Sequence, residues 1–108
     1  MRRGDFLSIV IQGDFGKPRP ALVVQSDNFN EHTTATVLLV SSLLIDAPLF
    51  RITVDPNQTN GLKKKSQIMV DKIMTVKKEK IGEPFGVASD EVMLEVSRCL
   101  SVFLGIAQ

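Results

Sequence analysis

Apolar and polar positions alternate or cluster along the first half of the chain in the way that β-strands require. Residues 5–12 and 21–25 are short runs rich in Ile, Val and Leu. Residues 36–40 are almost continuously apolar, which favours a strand that is buried on both faces or strongly curved. Residues 49–54 alternate apolar and polar positions, as a half-buried strand does.

The second half adds one more strand-like segment and then changes its period. Residues 67–76 are predicted to form a further strand or a bent pair of strands. After Ser89, a suitable N-cap, apolar residues recur at spacings of three and four, which is typical of an amphipathic helix. Gly105 lies where a C-terminal cap is expected. The apolar stripe of this helix consists of Val92, Val96, Cys99, Leu100 and Phe103.

These elements predict a mainly β fold, a small SH3-like curved antiparallel barrel with a C-terminal helix. A sheet this apolar in a chain of 108 residues should curl to bury both of its surfaces. The length suits a single domain, residues 1–108. No run approaches the roughly 20 apolar residues of a membrane span, and the single cysteine suggests a reducing compartment. We therefore expect a cytoplasmic protein that does not associate with membranes.

One arginine is presented on a stiff stretch of chain. Arg19 stands between Pro18 and Pro20, and each proline fixes its own φ and disfavours a helical conformation of the residue before it. A guanidinium is always charged and offers a planar fork of donors suited to phosphate. Arg19 is therefore a candidate anchor for a phosphate or a carboxylate. A tight turn with a solvated arginine accounts for the same residues.

The composition leaves few kinds of catalysis open. His32 is the only histidine and Cys99 the only thiol, so the usual nitrogen and sulfur ligand sets for metals cannot be built within one chain. The sequence contains no Walker or dinucleotide-binding loop. We therefore expect no metal and no cofactor. Arginine, hydroxyls and carboxylates remain, and these suit a substrate that carries its own nucleophile next to a phosphate.

RNA is such a substrate, because its ribose 2′-hydroxyl can attack the adjacent phosphorus while an arginine offsets the charge that develops on the phosphorane. DNA lacks this hydroxyl.

The net charge is only +1, but Lys63, Lys64 and Lys65 form a local basic cluster that would favour phosphates. A solvated edge that discourages strand pairing explains these lysines equally well.

Five blocks of the chain occur together, in the same order, in one family. The first is Arg-Gly-Asp at residues 3–5, and the second contains Arg19-Pro20 followed by Ala-Leu-Val-Val. The five blocks span residues 3–5, 16–27, 36–42, 61–62 with 66–76, and 80–82 with Gly86 and 89–105. Together they resemble the MazF/PemK family of toxin endoribonucleases from bacterial toxin–antitoxin pairs.

The resemblance implies a homodimer, metal-independent cleavage of single-stranded RNA at short sequence motifs, and inhibition by a cognate antitoxin. It places Arg19 at the catalytic arginine and Ser41 at the hydroxyl that contacts the scissile phosphate. Asp14 matches an acidic position in the first loop, either as a base toward the 2′-hydroxyl or as a residue that shapes the loop. Asp71 matches an aspartate proposed as a base in some members, and fixing its strand through hydrogen bonds is its alternative role.

Further residues are expected to bind RNA around these catalytic candidates. Phe15 is the candidate for base stacking because it lies in the loop that precedes Arg19. The expected RNA-binding residues are Phe15, Gly16, Lys17, Pro18, Ser42, Lys63, Lys64 and Lys65.

Two alternative functions are compatible with the same fold. A CcdB-like toxin poisons gyrase by binding it and is associated with a Trp-Gly-Ile ending, whereas this sequence contains no tryptophan. A non-catalytic SH3-like binding module predicts instead that Arg19 and Ser41 can be replaced without loss of binding.

Overall fold

The computed structural model describes residues 1–107, which form one antiparallel sheet, one α-helix and two short 3-10 helices, Asp27–Phe29 and Lys78–Lys80. The strands are β1 (Asp5–Val10), β2 (Pro18–Val23), β3 (Thr34–Ser41), β4 (Arg51–Val54), β5 (Ser66–Lys77) and β6 (Gly86–Val87), and the helix is α1 (Asp90–Phe103). Their order across the sheet is β4-β5-β3-β2-β1-β6. Within residues 1–107, no helix combines the length and the apolar character needed to cross a membrane.

The sheet curls around β5. At 12 residues β5 is the longest strand, and it pairs with β4 at its start and with β3 along most of its length. The pairing with β3 changes register between Leu38 and Val40. An irregularity of this kind bends a strand and increases its twist. The result is a half-barrel, which confirms the predicted curved antiparallel sheet with a C-terminal helix.

Both faces of the sheet are covered by apolar side chains, which explains the continuous apolar runs in the sequence. On one face Phe6 and Leu22 belong to a core that includes Val96 and Cys99 of α1. The next residues along β1 and β2 point to the opposite face, because side chains alternate along a strand. That second core consists of Leu7, Ile9, Ala21, Val23, Val37 and Val76.

The helix begins where it is predicted to begin. The Ser89 hydroxyl accepts a hydrogen bond from the Val92 backbone N–H at 3.1 Å. Cys99 is a buried core residue, and its burial raises the pKa of its thiol. Phe103 ends the apolar stripe of α1 but is 48% exposed, because the core beneath the helix extends only to Leu100.

The strand β2 begins three residues before the predicted start, so Arg19 lies within a strand, opposite Ile9 of β1. Pairing of β2 with β3 starts only at Ala21. Pro18 and Pro20 have no N–H with which to extend that ladder. A gap therefore opens between the start of β2 and the end of β3.

A buried asparagine holds the connection between β4 and β5 against β6. The Asn60 side-chain oxygen accepts from the backbone N–H groups of Asn57 and Leu62, each at 3.0 Å. A Cβ built on Gly86 would lie 1.9 Å from the Asn60 carbonyl oxygen, so this close approach of two backbones requires a glycine.

We expect Gly86→Ala to lower the free energy of unfolding by about 2 kcal/mol, because the two backbones must separate. Urea denaturation monitored by circular dichroism measures this loss. Gly82→Ala is the matched control, since its Cβ would meet the Ser8 carbonyl at an ordinary 3.5 Å. Equal stability of the two variants would contradict this account of the β6 contact.

Candidate active site

A cleft of about 990 Å³ lies at the gap between the start of β2 and the end of β3. One wall comes from β2 and from the first loop, residues 11–17 between β1 and β2. The other wall comes from the end of β3 and from residues 61–64. The expected site residues that line this cleft are Asp14, Lys17, Pro18, Arg19, Ser41, Ser42, Lys63 and Lys64. Four expected residues do not line it, namely Phe15, Gly16, Lys65 and Asp71.

Arg19 and Asp14 form a forked ion pair. The Arg19 Nε donates to Asp14 Oδ2 at 2.6 Å, and Nη2 donates to Asp14 Oδ1 at 3.2 Å. The hydrogen bond from Arg19 holds the pKa of the Asp14 carboxyl below its ordinary value, and the same bond raises the pKa of Arg19. Within residues 1–107 the Arg19 Nη1 group makes no hydrogen bond. The second edge of the guanidinium is therefore available to a ligand.

The first loop is compact at its base and strained at its tip. The Asp14 N–H donates to the Ile11 carbonyl at 3.1 Å, and the Lys17 N–H donates to the Asp14 carbonyl at 3.0 Å. Between them Phe15 has a φ of 54° and a fully exposed side chain. A bulky residue at positive φ is uncommon and energetically unfavourable. The loop therefore presents an aromatic ring to solvent beside the cleft residue Lys17.

The Ser41 hydroxyl lies on the β3 side of the cleft. Its oxygen accepts a hydrogen bond from the Leu43 backbone N–H at 3.0 Å, and within residues 1–107 its own proton is not donated to any group. The neighbouring loop is held by the buried Gln67, which accepts from the Ile45 N–H at 3.0 Å and donates to the Ile45 carbonyl at 2.9 Å. Gln67 therefore holds this loop in place, and nothing in the sequence distinguishes it from the other polar residues of β5.

The cleft is cationic, because Lys17, Arg19, Lys63 and Lys64 line it while Asp14 is its lining carboxylate. Sequence reasoning missed several residues that line the cleft from β1, from the loop that contains Asp14, from β5 and from the segment before β6. They are Ser8, Gln12, Met69 and Phe85.

Among residues 1–107 no three His, Cys, Asp or Glu side chains are grouped so that they could hold a metal ion.

Asp71 lies outside this cleft and is paired with an arginine. Its Oδ1 is 3.4 Å from the Arg51 Nε, and the two side chains are only 22% and 12% exposed. The Arg51 guanidinium also lies 5.8 Å from the centre of the Phe50 ring. This ion pair connects β4 to β5, and within residues 1–107 neither Arg51 Nε nor Asp71 Oδ1 makes a hydrogen bond.

Residues 2–104 match the model of a family described as PemK-like, MazF-like toxin of type II toxin–antitoxin system. The chain belongs to this family. It is 39% identical over 108 residues to the probable endoribonuclease MazF of Mycolicibacterium smegmatis, covering 99% of each sequence. It is 28% identical to the endoribonuclease MazF of Staphylococcus saprophyticus, covering 98% of this chain and 92% of that relative. It is thus a MazF-like toxin, and these homologues are endoribonucleases.

Solved structures share the fold at low sequence identity. A mycobacterial endoribonuclease in complex with its cognate antitoxin has a TM-score of 0.85 at 18% identity, covering 100% of this chain and 98% of the other. A MazE–MazF structure from Deinococcus radiodurans has a TM-score of 0.80 at 21% identity, with coverages of 99% and 97%. The curled half-barrel with one C-terminal helix is therefore the MazF-like fold.

The Arg51–Asp71 pair is expected to matter for stability as a unit. Asp71→Ala should lower the free energy of unfolding by about 2 kcal/mol, because it leaves a poorly exposed cation without its partner. The double variant Arg51→Met with Asp71→Leu should recover most of this loss, because no uncompensated charge remains. Urea denaturation of the single and double variants measures the coupling. Strictly additive losses would contradict the pairing.

Proposed function

We propose that this protein is a toxin that cleaves single-stranded RNA at short sequence motifs without a metal ion and is inhibited by a cognate antitoxin. The observation that carries the proposal is the meeting of two donors in one cationic cleft. Arg19 offers an unused guanidinium edge from β2, and Ser41 offers a free hydroxyl proton from the end of β3. Membership of a family whose members include endoribonucleases supports the same chemistry.

In the proposed reaction the 2′-oxygen bonds to the adjacent phosphorus, and the bond from phosphorus to the 5′-oxygen breaks. The 2′-hydroxyl loses its proton and the departing 5′-oxygen gains one. The products are a 2′,3′-cyclic phosphate and a 5′-hydroxyl. Arg19 neutralises the non-bridging oxygens, whose charge increases in the transition state, and Ser41 donates a hydrogen bond to one of them.

RNA on either side of the scissile phosphate would bind along the cationic cleft. Lys17, Lys63 and Lys64 line the cleft and would bind neighbouring phosphates. Phe15 presents a fully exposed ring on the loop that contributes Asp14, which suits stacking on an unpaired base. Gly16, Pro18, Ser42 and Lys65 flank these contacts and complete the proposed RNA surface.

We further propose that the protein forms a homodimer and that an antitoxin segment occupies the RNA groove. One solved relative of the same fold is bound to its cognate antitoxin. Beyond Ser42 the loop exposes several large apolar side chains, as interaction surfaces do. They are Leu43, Leu44, Ile45 and Leu49.

Arg19→Ala is expected to reduce RNA cleavage in EDTA by about 100-fold or more, because the transition state loses its principal counter-charge. Ser41→Ala should cause a smaller loss, and Ser41→Thr should retain activity. The cleavage rates of the three variants and the wild type are measured on a long unstructured RNA, with detection of 2′,3′-cyclic phosphate ends.

Arg98→Ala is the matched control for this experiment, since Arg98 pairs with Glu95 on the surface of α1. It should cleave like the wild type. Absence of cleavage by folded wild-type protein across several RNAs would contradict the proposed function and favour a gyrase poison or a binding module.

RNA affinity is expected to fall steeply with salt, because binding releases counterions from phosphates. In an Arg19→Ala background that leaves RNA intact, replacing Lys63 and Lys64 by Gln should reduce the slope of log K against log salt by about 0.7 per lost phosphate contact. Lys72 and Lys80, which are exposed and do not line the cleft, provide the matched double control. A wild-type slope near zero would contradict the RNA groove.

A further inference from the structure

We propose that Asp14 is a positioning residue for Arg19. By holding the Nε–Nη2 edge of the guanidinium, it directs the opposite edge toward the scissile phosphate, and it does not remove the proton from the 2′-hydroxyl. This role rests on the proposed function, in which Arg19 binds the phosphate that is attacked.

The forked geometry is the first support. Both carboxylate oxygens of Asp14 are used by Arg19, one by Nε at 2.6 Å and one by Nη2 at 3.2 Å. A guanidinium is planar and rigid, so fixing one edge fixes the direction of the other. The edge formed by Nη1 and the second Nη2 proton is the one left for two phosphate oxygens.

The second support is that both partners are held by the backbone. Arg19 lies in β2 opposite Ile9 and between two prolines, so its main chain has little freedom. Asp14 is fixed by a hydrogen bond from its own N–H to the Ile11 carbonyl and by another from the Lys17 N–H to its carbonyl. The pair therefore closes the base of the loop and gives the long arginine side chain a defined orientation.

The surroundings of Asp14 are unsuited to a general base. The groups that face its carboxylate are the cations Arg19 and Lys17, and the hydrogen bond from Arg19 holds the pKa of the carboxyl below its ordinary value. A base is most effective when its pKa lies near the working pH. The other candidate carboxylate, Asp71, is paired with Arg51 outside the cleft.

Phosphorothioate substrates separate a positioning role from a base. The test uses an RNA with a single cleavage site and sulfur in place of either the pro-Rp or the pro-Sp oxygen of the scissile phosphate. Wild-type protein should prefer one diastereomer, because sulfur is a poorer acceptor at the oxygen that Arg19 contacts. Asp14→Asn should lower kcat by about 10- to 100-fold. It should also weaken the preference for one diastereomer, as Arg19→Lys should do.

Other outcomes would overturn the proposal. If Asp14→Asn is slow but keeps the wild-type preference, and its rate rises log-linearly with pH as hydroxide replaces a missing base, Asp14 is the base. If Asp14→Asn cleaves at the wild-type rate, the ion pair has no part in the reaction. Glu31→Gln, at an exposed carboxylate that does not line the cleft, should leave both rate and preference unchanged.

These outcomes are distinct from failure of the proposed function. If the wild-type protein cleaves no RNA, both the proposed function and the positioning role of Asp14 are contradicted. Wild-type cleavage with a retained preference in Asp14→Asn would remove the positioning role alone. A merely structural role for Asp14 would change the urea midpoint of unfolding and leave the stereochemical preference intact, which would also overturn the proposal.

Discussion

Between Pro18 and Pro20 the strand β2 has one backbone N–H, and its pairing with β3 does not begin before Ala21. The cleft depends on this interruption. A continuous ladder would bring the start of β2 against the end of β3 and close the space between them. Because prolines cannot donate to a ladder, the sheet separates at this point and both strand ends become walls of a cleft. The same prolines hold Arg19 on an extended backbone at the edge of the opening.

Two of the arginine–aspartate pairs differ in their solvent exposure and therefore in the roles that they suit. The Asp14–Arg19 pair is partly exposed, with side chains 29% and 45% accessible, and it keeps one guanidinium edge free in a cleft. The Arg51–Asp71 pair is largely enclosed between β4 and β5 and lies outside the cleft. A partly solvated pair can share its arginine with an incoming anion at little cost, whereas an enclosed pair stabilises mainly by avoiding an unpaired charge.

The family fold is retained at low sequence identity because it depends on the pattern of apolar positions and on a few backbone contacts. Solved structures with 18% and 21% identity have TM-scores of 0.85 and 0.80. Many apolar residues can fill two cores of similar volume. The contact of Gly86 with Asn60 and the prolines beside Arg19 are more restrictive, since each depends on backbone geometry that few residues allow.

The sequence by itself determined five of the six strands, the curled sheet and α1, because apolar periodicity and the Ser89 cap are local signals. It also indicated Arg19, since two flanking prolines stiffen any chain that contains them. Only the tertiary structure decided which residues meet at the cleft. The two-residue β6 has no periodicity to recognise, and the pairing of Asp71 with Arg51 depends on the register of β4 against β5. The forked contact of Asp14 with Arg19 depends on how the first loop closes, because a sequence specifies the spacing of two charges but not the direction in which each side chain points.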